Sequence, residues 1–297
     1  MERLQNPFSL YDFLGYLIPG SIMLYGLLFL YLPTGTQIGD VLKCYNLDGY
    51  EDAFLIIISS YSIGHIISFV SSLTIEKLSL WMHGYPSKYL LEIKQKGYFE
   101  SAFYKGVGCN EYEIRMLART ALYLILLPIS LLDLIFGKFF QLRLFYVRKL
   151  DSYTLEVVKR RIEAGINWVP KLNDFTEHNE RKMSEYDFFR LIYHYCLENV
   201  SSHQSKFQNY VALYGFLRAL SFISLALFWL LIITSIFEYW GLVLAFGAIS
   251  YVCYMGYCKF SRRFTLEVLM AYITIEPPKT RSGAYTMNMT SSSIEND

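Results

Sequence analysis

The stretch AFLIIISSYSIGHIISFVSSL, from Ala53 to Leu73, decides the fold class of this chain. A continuous run of about 20 apolar residues is long enough to cross a bilayer as one helix. This run also carries His65 at its centre and serines along one side. Because polar atoms are expensive at bilayer depth, they predict a contact with other helices or with water.

The composition of the whole chain is typical of a membrane protein. Of its 297 residues, 54% are hydrophobic and only 18% are charged, and the mean hydropathy is +0.27, which is too apolar for an ordinary soluble domain. The net charge of +1 gives no general attraction to nucleic acid. The N-terminal sequence lacks the basic segment and cleavage site of a signal peptide, so we expect the first apolar run to remain as an anchor.

Four segments have the length and apolarity of a transmembrane helix. They are residues 14–32, 53–73, 219–237 and 240–258. A fifth run, residues 121–137, is shorter and contains Pro128 and Asp133. Hydropathy alone therefore does not place the fifth run.

Lysine and arginine are unevenly distributed among the connecting segments, and this bias predicts the orientation. The loop 33–52 holds one basic and four acidic residues, whereas residues 74–119 hold 7 basic residues, residues 138–212 hold 12, and the tail from Lys259 holds 5. Basic segments tend to stay on the cytoplasmic side. Four spans place all three basic segments there, whereas a fifth span would export two of them.

We therefore predict an all-α integral membrane protein with four transmembrane helices and both termini in the cytoplasm. Its two transmembrane hairpins comprise residues 1–73 and 213–258, and a helical cytoplasmic domain, residues 74–212, lies between spans two and three. We interpret residues 121–137 as a re-entrant, in-plane or buried helix that does not span. The tail, residues 259–297, is polar and without periodicity near its end, which predicts disorder from about residue 277.

A long helix is predicted from Ser184 into the third span. No proline or glycine occurs between Pro170 and Gly215, and aromatic or apolar residues recur there in an a/d heptad pattern. Packing within the chain and self-association both explain this seam, and either would join the cytoplasmic domain mechanically to the membrane. Arg218, at the start of the third span, is expected to snorkel to lipid headgroups. The seam comprises Tyr186, Phe189, Tyr193, Cys196, Val200, His203, Phe207, Tyr210 and Tyr214.

On a helical wheel, the 53–73 helix has a small or polar arc opposite an apolar face. Small residues at a spacing of four allow two helices to pack closely. The same arc can instead line a water-filled path, with His65 as a pH-sensitive side chain, in a symmetric oligomer that encloses more space than four helices of one chain. These candidate pore-lining residues are Ser60, Gly64, His65, Ser68, Ser71 and Ser72.

A second cytoplasmic helix, predicted over residues 152–164, carries three consecutive basic residues. Such a run is typical of a solvated helix face. The alternative is a surface for the phosphates of a nucleotide or nucleic acid, formed with neighbouring basic residues. The candidate ligand-binding residues are Arg143, Arg148, Lys149, Lys159, Arg160, Arg161 and Lys171.

The sequence contains no recognisable catalytic motif. Its five cysteines and five histidines are scattered without metal-ligand spacing, which predicts neither a disulfide framework, nor a metal site, nor a cofactor. We therefore interpret the chain as a non-enzyme. An active site on lipids, assembled from residues that are distant in sequence, remains an alternative.

Several segments resemble a family of bacterial multi-span proteins: NPFSLYDFLGYLIPGSI (residues 6–22), SYSIGHIISFVSSLTIEK (60–77), GYPSKYL (84–90) and YGFLRALSF (214–222). The family is that of the membrane effectors of Hailong anti-phage defence, encoded beside a nucleotidyltransferase. The resemblance implies a tetrameric ion channel in the bacterial inner membrane. It also implies that single-stranded oligodeoxyadenylate holds the channel shut and that loss of this ligand depolarises the membrane and arrests growth. It assigns no ligand-contact residues.

The leading hypothesis is thus an oligomeric, ligand-regulated ion channel that acts as a membrane effector in anti-phage defence. An oligonucleotide bound to the cytoplasmic domain would gate it. The alternative is a membrane-anchored scaffold or assembly protein without conduction, in which the polar arc only packs helices.

Overall fold

The computed structural model describes residues 12–31, 50–93, 109–165, 188–235 and 239–275. All regular secondary structure in these ranges is helical, which confirms the all-α prediction. Four helices are long and apolar enough to cross a membrane, and each overlaps one predicted span. Residues 32–49, Ser184 and the tail beyond residue 275 lie outside the described residues.

The helices vary from single turns to long rods. The described part of the chain contains three π-helical segments, Phe13–Leu17 before the first α-helix, Ser72–Glu76 and Asp133–Phe139. In chain order the α-helices are α1 (Ile18–Tyr31), α2 (Tyr50–Ser71), α3 (Lys77–His83), α4 (Pro86–Leu90), α5 (Cys109–Ile125), α6 (Leu127–Leu132), α7 (Arg143–Tyr146), α8 (Ser152–Gly165), α9 (Phe188–Asn199), α10 (Ser201–Ser235) and α11 (Trp240–Thr274).

The hairpin of α10 and α11 is the axis of the molecule, because these two helices pack along each other and most other elements pack on them. Each has 35 residues, which at 1.5 Å per residue is about 50 Å. The hydrocarbon core of a bilayer is only about 30 Å thick. Each helix therefore extends well beyond its predicted span without interruption.

The parts of α10 and α11 beyond the predicted spans contribute to a separate hydrophobic core, which we call the distal core. It combines buried residues of α4, α8, α9 and the two long helices, including Ile162, Cys196, Phe207 and Leu269. Residues 264–275, which the sequence analysis assigned to the tail, therefore contribute to this core.

The helix predicted from Ser184 is not continuous: α9 ends at Asn199 and α10 begins at Ser201, so that prediction is wrong at Val200. The Gln204 side chain donates a hydrogen bond to the Leu197 carbonyl at 2.8 Å. From Ser201 onward the helix does continue into the third span, as predicted.

The heptad seam of α9 and α10 packs within the chain. The rings of Tyr193, Phe207 and Tyr214 lie around Phe264 of α11, with centroid distances of 5.5, 6.3 and 5.9 Å. Intramolecular packing, one of the two interpretations of the seam, thus accounts for these residues.

The fifth apolar run forms a bent pair of helices. The segments Tyr112–Ile125 and Leu127–Phe139 meet at 82°. Pro128, in the first turn of α6, favours a break because its nitrogen cannot donate a helical hydrogen bond. At the same break, the carbonyl of Ile125 accepts a bond from the Trp229 indole at 2.7 Å. Length and composition fit a broken span or a re-entrant segment, so the non-spanning interpretation stays a prediction.

Candidate functional site

The closest contact between spans one and two is a crossing at Gly20 and Gly64. A Cβ atom on Gly20 would lie 1.7 Å from the Ser60 carbonyl oxygen, and one on Gly64 would lie 1.9 Å from the Tyr16 carbonyl oxygen. Helix backbones approach this closely only where side chains are small. Ser60 is buried. Close packing, the alternative to a pore lining, therefore accounts for Ser60 and Gly64 in the single chain.

His65 lies at the edge of this crossing and is exposed on the single chain. Its ring stacks on Tyr16, with centroids 3.8 Å apart and planes at 18°, and meets the ring of Tyr61 edge-on at 4.6 Å. The two tyrosines fix the orientation of the imidazole. At the bilayer depth that the sequence predicts for it, such a polar ring requires a polar neighbour or water outside the single chain.

The serines at the other end of the arc are satisfied largely within their own helix. The Ser71 hydroxyl, which is buried, donates to the Ser68 carbonyl at 2.9 Å, and the Ser72 hydroxyl donates to the Phe69 carbonyl at 2.6 Å. Such bonds let a hydroxyl lie among apolar neighbours. The arc thus faces the chain's own helices over much of its length, and its pore-lining role stays a prediction for an oligomer.

Arg218 of α10 ties the third span to the second. Its guanidinium donates to the Glu76 carboxylate and lies 3.4 Å from both oxygens of Ser68. The Arg218 side chain is only 12% exposed, whereas that of Glu76 is 36% exposed. The expected snorkelling of Arg218 to headgroups is therefore wrong. We call Arg218, Glu76 and Ser68 the Arg218 junction.

The π-helical segment Ser72–Glu76 presents Glu76 to this junction. A π-helical turn rotates the following residues relative to a regular α-helix, and such turns are frequent at functional sites. Ile75, the preceding residue, is fully buried against the α10 and α11 side of the chain. The local geometry thus places an acid and an apolar side chain on neighbouring faces at the end of the second span.

A cavity of about 260 Å³ lies beside the junction, where α3, α4, α10 and α11 meet α9. Glu76 lines it, together with Tyr89, Tyr214 and Tyr257. His83 also lines it, and its buried Nε2 atom has no hydrogen-bond partner among the described residues. The cavity therefore combines aromatic walls with one carboxylate and one imidazole.

A buried carboxylate holds the bent segment in place. Asp133 is fully buried, and it accepts hydrogen bonds from the Arg143 guanidinium at 2.5 Å and from the Tyr146 hydroxyl. Two donors compensate the charge of a carboxylate that would otherwise be costly to bury. Arg143, a predicted ligand-binding residue, is thus committed to a structural ion pair.

The other predicted ligand-binding residues are dispersed over the distal part of the molecule. Arg148 is exposed and Lys159 is half-buried, whereas Lys171 lies outside the described residues. The described members include several that already have partners, so their role in phosphate binding stays a prediction. The observed pairs are Lys149 with Glu92 at 3.2 Å, Arg160 with Glu156 at 2.7 Å, and Arg161 with the Ile275 carbonyl at 2.6 Å.

Sequence reasoning missed Glu76 and His83, which belong to the junction and its cavity. A signal was present: Glu76 follows the polar arc by one turn, and an arginine at the start of another span needs a counter-charge when it is not at the interface. No comparable signal marked His83, because its position at the cavity depends on the meeting of distant helices.

Comparison with known proteins gave no match to any family model, any curated protein or any solved structure.

Proposed function

We propose that the protein is the subunit of an oligomeric, ligand-regulated ion channel in the bacterial inner membrane. Its four spans, cytoplasmic termini and cytoplasmic distal core follow the charge bias of the sequence. The Arg218 junction carries the proposal, because an ion pair between a largely buried arginine and a half-buried glutamate ties span two to span three beside a cavity that reaches α9.

In this proposal the described arrangement is the closed channel. At Gly20 and Gly64 the helix backbones touch, which leaves no room for water or an ion between spans one and two. Conduction requires span two to move relative to span three, and that movement breaks the bond between Arg218 and Glu76. A ligand in the cavity contacts Glu76 and so changes the free-energy difference between closed and open states.

Exposed His65 supports assembly of several subunits. Its ring lies on the surface of the single chain at the proposed bilayer depth, where a second subunit or a water-filled pore would solvate it. Tetramer is the favoured assembly, on the family resemblance alone. His65 and the serines of the arc would then meet at or near the symmetry axis.

The proposed ligand is a single-stranded DNA oligomer made by a partner nucleotidyltransferase, and its release would start the anti-phage response. A cavity of about 260 Å³ with tyrosine walls suits one base, since bases stack on aromatic rings. Glu76 disfavours a phosphate inside the cavity. The phosphates would remain outside the cavity.

Ion flux from liposomes that contain the purified protein tests this proposal. Arg218→Ala removes the tie, and we expect the leak of the oligonucleotide-bound protein to rise about 5- to 150-fold, the usual range of a coupling free energy. Arg190→Ala, which removes an exposed arginine of α9, is the matched control and should leave the flux unchanged. The channel proposal fails if no variant conducts with or without oligonucleotide and if His65→Leu with Ser68→Leu leaves cellular activity intact.

The close packing of Ser60 and Gly64 favours a second candidate, a membrane-anchored scaffold. In a scaffold the arc only joins helices, and Arg218→Ala would change stability without changing ion flux. The same liposome experiment therefore separates the two functions.

A further inference from the structure

The outer face of α11 changes from apolar to basic along one stripe. Leu244, Ile249 and Val252 are exposed large apolar side chains. Lys259 and Arg263 are exposed, and Arg262 is half-buried. Lys259 follows Val252 by seven residues, or two helical turns and about 10 Å, so it lies on the same helix face. The lipid-facing stripe of the proposed fourth span thus ends in three cations.

A fourth cation, Arg148, and an apolar rim lie beside this stripe. The Arg262 Nε atom donates to the Arg148 carbonyl at 2.5 Å, which places the exposed Arg148 next to the cations of α11. The chain that leads to Arg148 exposes several bulky apolar side chains in succession: Phe139 (79% exposed), Phe140 (60%), Leu144 (62%) and Phe145 (74%).

The order of these residues matches the depth profile of a membrane surface. The ring of Phe136 lies 6.4 Å from that of Tyr251 on α11, whereas Arg148 lies at the level of Arg262. The segment that leads into the apolar rim therefore starts at the level of the proposed span, and Lys259, Arg262 and Arg263 lie about two to three turns farther along α11. In an aqueous setting, four exposed bulky apolar side chains in one short segment would be costly.

We propose that Arg148, Lys259, Arg262 and Arg263 form a binding site for the phosphate headgroup of an anionic lipid. The rim of Phe139, Phe140, Leu144 and Phe145 packs against the acyl chains of that lipid. Among the described residues, no acidic side chain pairs with Lys259, Arg262 or Arg263. Basic clusters directly below a span attract anionic headgroups by about 1 kcal/mol per cation. The inference rests on the membrane placement in the proposed function, but not on conduction.

The test uses the full chain in neutral detergent, titrated with short-chain phosphatidylglycerol or phosphatidylcholine, with bound lipid counted by native mass spectrometry. We expect a preference for phosphatidylglycerol that weakens as salt is added. Arg262→Gln with Arg263→Gln should weaken phosphatidylglycerol binding roughly 30-fold. Arg190→Gln with Lys206→Gln removes the same charge from exposed positions on α9 and α10, and should leave binding unchanged.

Thermal unfolding without added lipid checks that each variant folds. If the Arg262 and Arg263 variant does not fold, Lys259→Gln with Arg263→Gln replaces it, since both side chains are exposed. Equal binding of the two lipids, or an equal loss in the α9 and α10 control, overturns the proposal. Displacement of the lipid by a single-stranded DNA oligomer would assign these cations to nucleic acid and overturn it as well. Currents recorded in pure phosphatidylcholine bilayers test the channel separately, so each proposal can fail without the other.

Discussion

Gly64 is the residue whose replacement tests the crossing of spans one and two most directly. In Gly64→Ala the new Cβ would lie 1.9 Å from the Tyr16 carbonyl oxygen, a backbone atom that cannot swing away. We expect the two helices to separate, with a loss of about 1–3 kcal/mol in stability, the usual cost of overpacking. The midpoint of thermal unfolding in detergent measures this loss.

Gly241→Ala is the control for this substitution. Gly241 lies in the first turn of α11, and nothing lies within 4 Å of a Cβ atom built on it. Its unfolding midpoint should therefore stay at the wild-type value or rise slightly, because alanine favours helix more than glycine does. Equal midpoints for the two variants would mean that α1 and α2 do not cross at Gly64.

Cys196 reports on the integrity of the distal core. Burial raises the pKa of its thiol to about 11, and its Sγ faces the Val268 carbonyl at 3.6 Å. Since only the thiolate reacts, and a free cysteine has a pKa near 8.5, we expect alkylation at pH 8 to be about 100-fold slower than for free cysteine. The rate should rise as the pH approaches 11. Iodoacetamide labelling, followed by peptide mass spectrometry, measures it.

The same residue in the denatured chain is the control for that labelling. In denaturant Cys196 loses its buried surroundings, so its rate should return to that of free cysteine. Fast labelling of Cys196 in the folded protein would show that α9 does not pack on α11 in solution.

At the level of elements, the bent segment between α5 and α7 depends on one buried ion pair. Asp133→Ala leaves the Arg143 guanidinium without its carboxylate, and Arg143 is only 33% exposed. We expect the free energy of unfolding to fall by about 2–3 kcal/mol, somewhat less than the cost of leaving a fully buried charge unpaired. Titration of the protein in mild detergent with a denaturing detergent measures the change in the free energy of unfolding.

A double substitution separates the orphaned charge from general damage. Arg143→Met in the Asp133→Ala background removes the unpaired cation, so it should restore part of the stability. If the two losses simply add, the Asp133 and Arg143 pair does not hold this segment.

The elements also show what the sequence could predict. Hydropathy and charge spacing predicted four long helices because membrane spans must be long, apolar and internally hydrogen-bonded, which leaves a strong local signal. The break at Val200 has a weaker signal, the polar run Asn199, Ser201 and Ser202, whose side chains compete with helical hydrogen bonds. The heptad pattern across that break concealed it.

The Arg218 junction lies beyond such reasoning. Glu76 and Arg218 are 142 residues apart, and their contact depends on how α2 and its π-helical extension pack on α10. Local periodicity reports which face of a helix is apolar, but not which helix will lie against it. The polar arc shows the same limit, since the sequence predicted it as one helix face but could not show that Ser60, Gly64 and Ser71 are buried within the same chain.

For the whole molecule, the decisive quantity is the number of membrane crossings. The bias of basic residues favours four spans. The 82° bend between α5 and α6 makes the end-to-end length of that pair shorter than that of a straight helix of the same number of residues. The four-span prediction places α8, α9 and the distal core on the same side as the N-terminus. A broken fifth span would instead place α8 and α9 across the membrane from α4, although all three helices contribute to the distal core.

Reporter fusions distinguish these two topologies. With four spans, green fluorescent protein fused after residue 165 should fluoresce and alkaline phosphatase at the same position should be inactive, because the phosphatase folds only outside the inner membrane, where its disulfides form. A phosphatase fusion after residue 46, in the loop with one basic and four acidic residues, is the positive control and should be active. Activity at both positions would mean that residues 112–139 cross the membrane, and the basic segments would then lie outside against the charge bias.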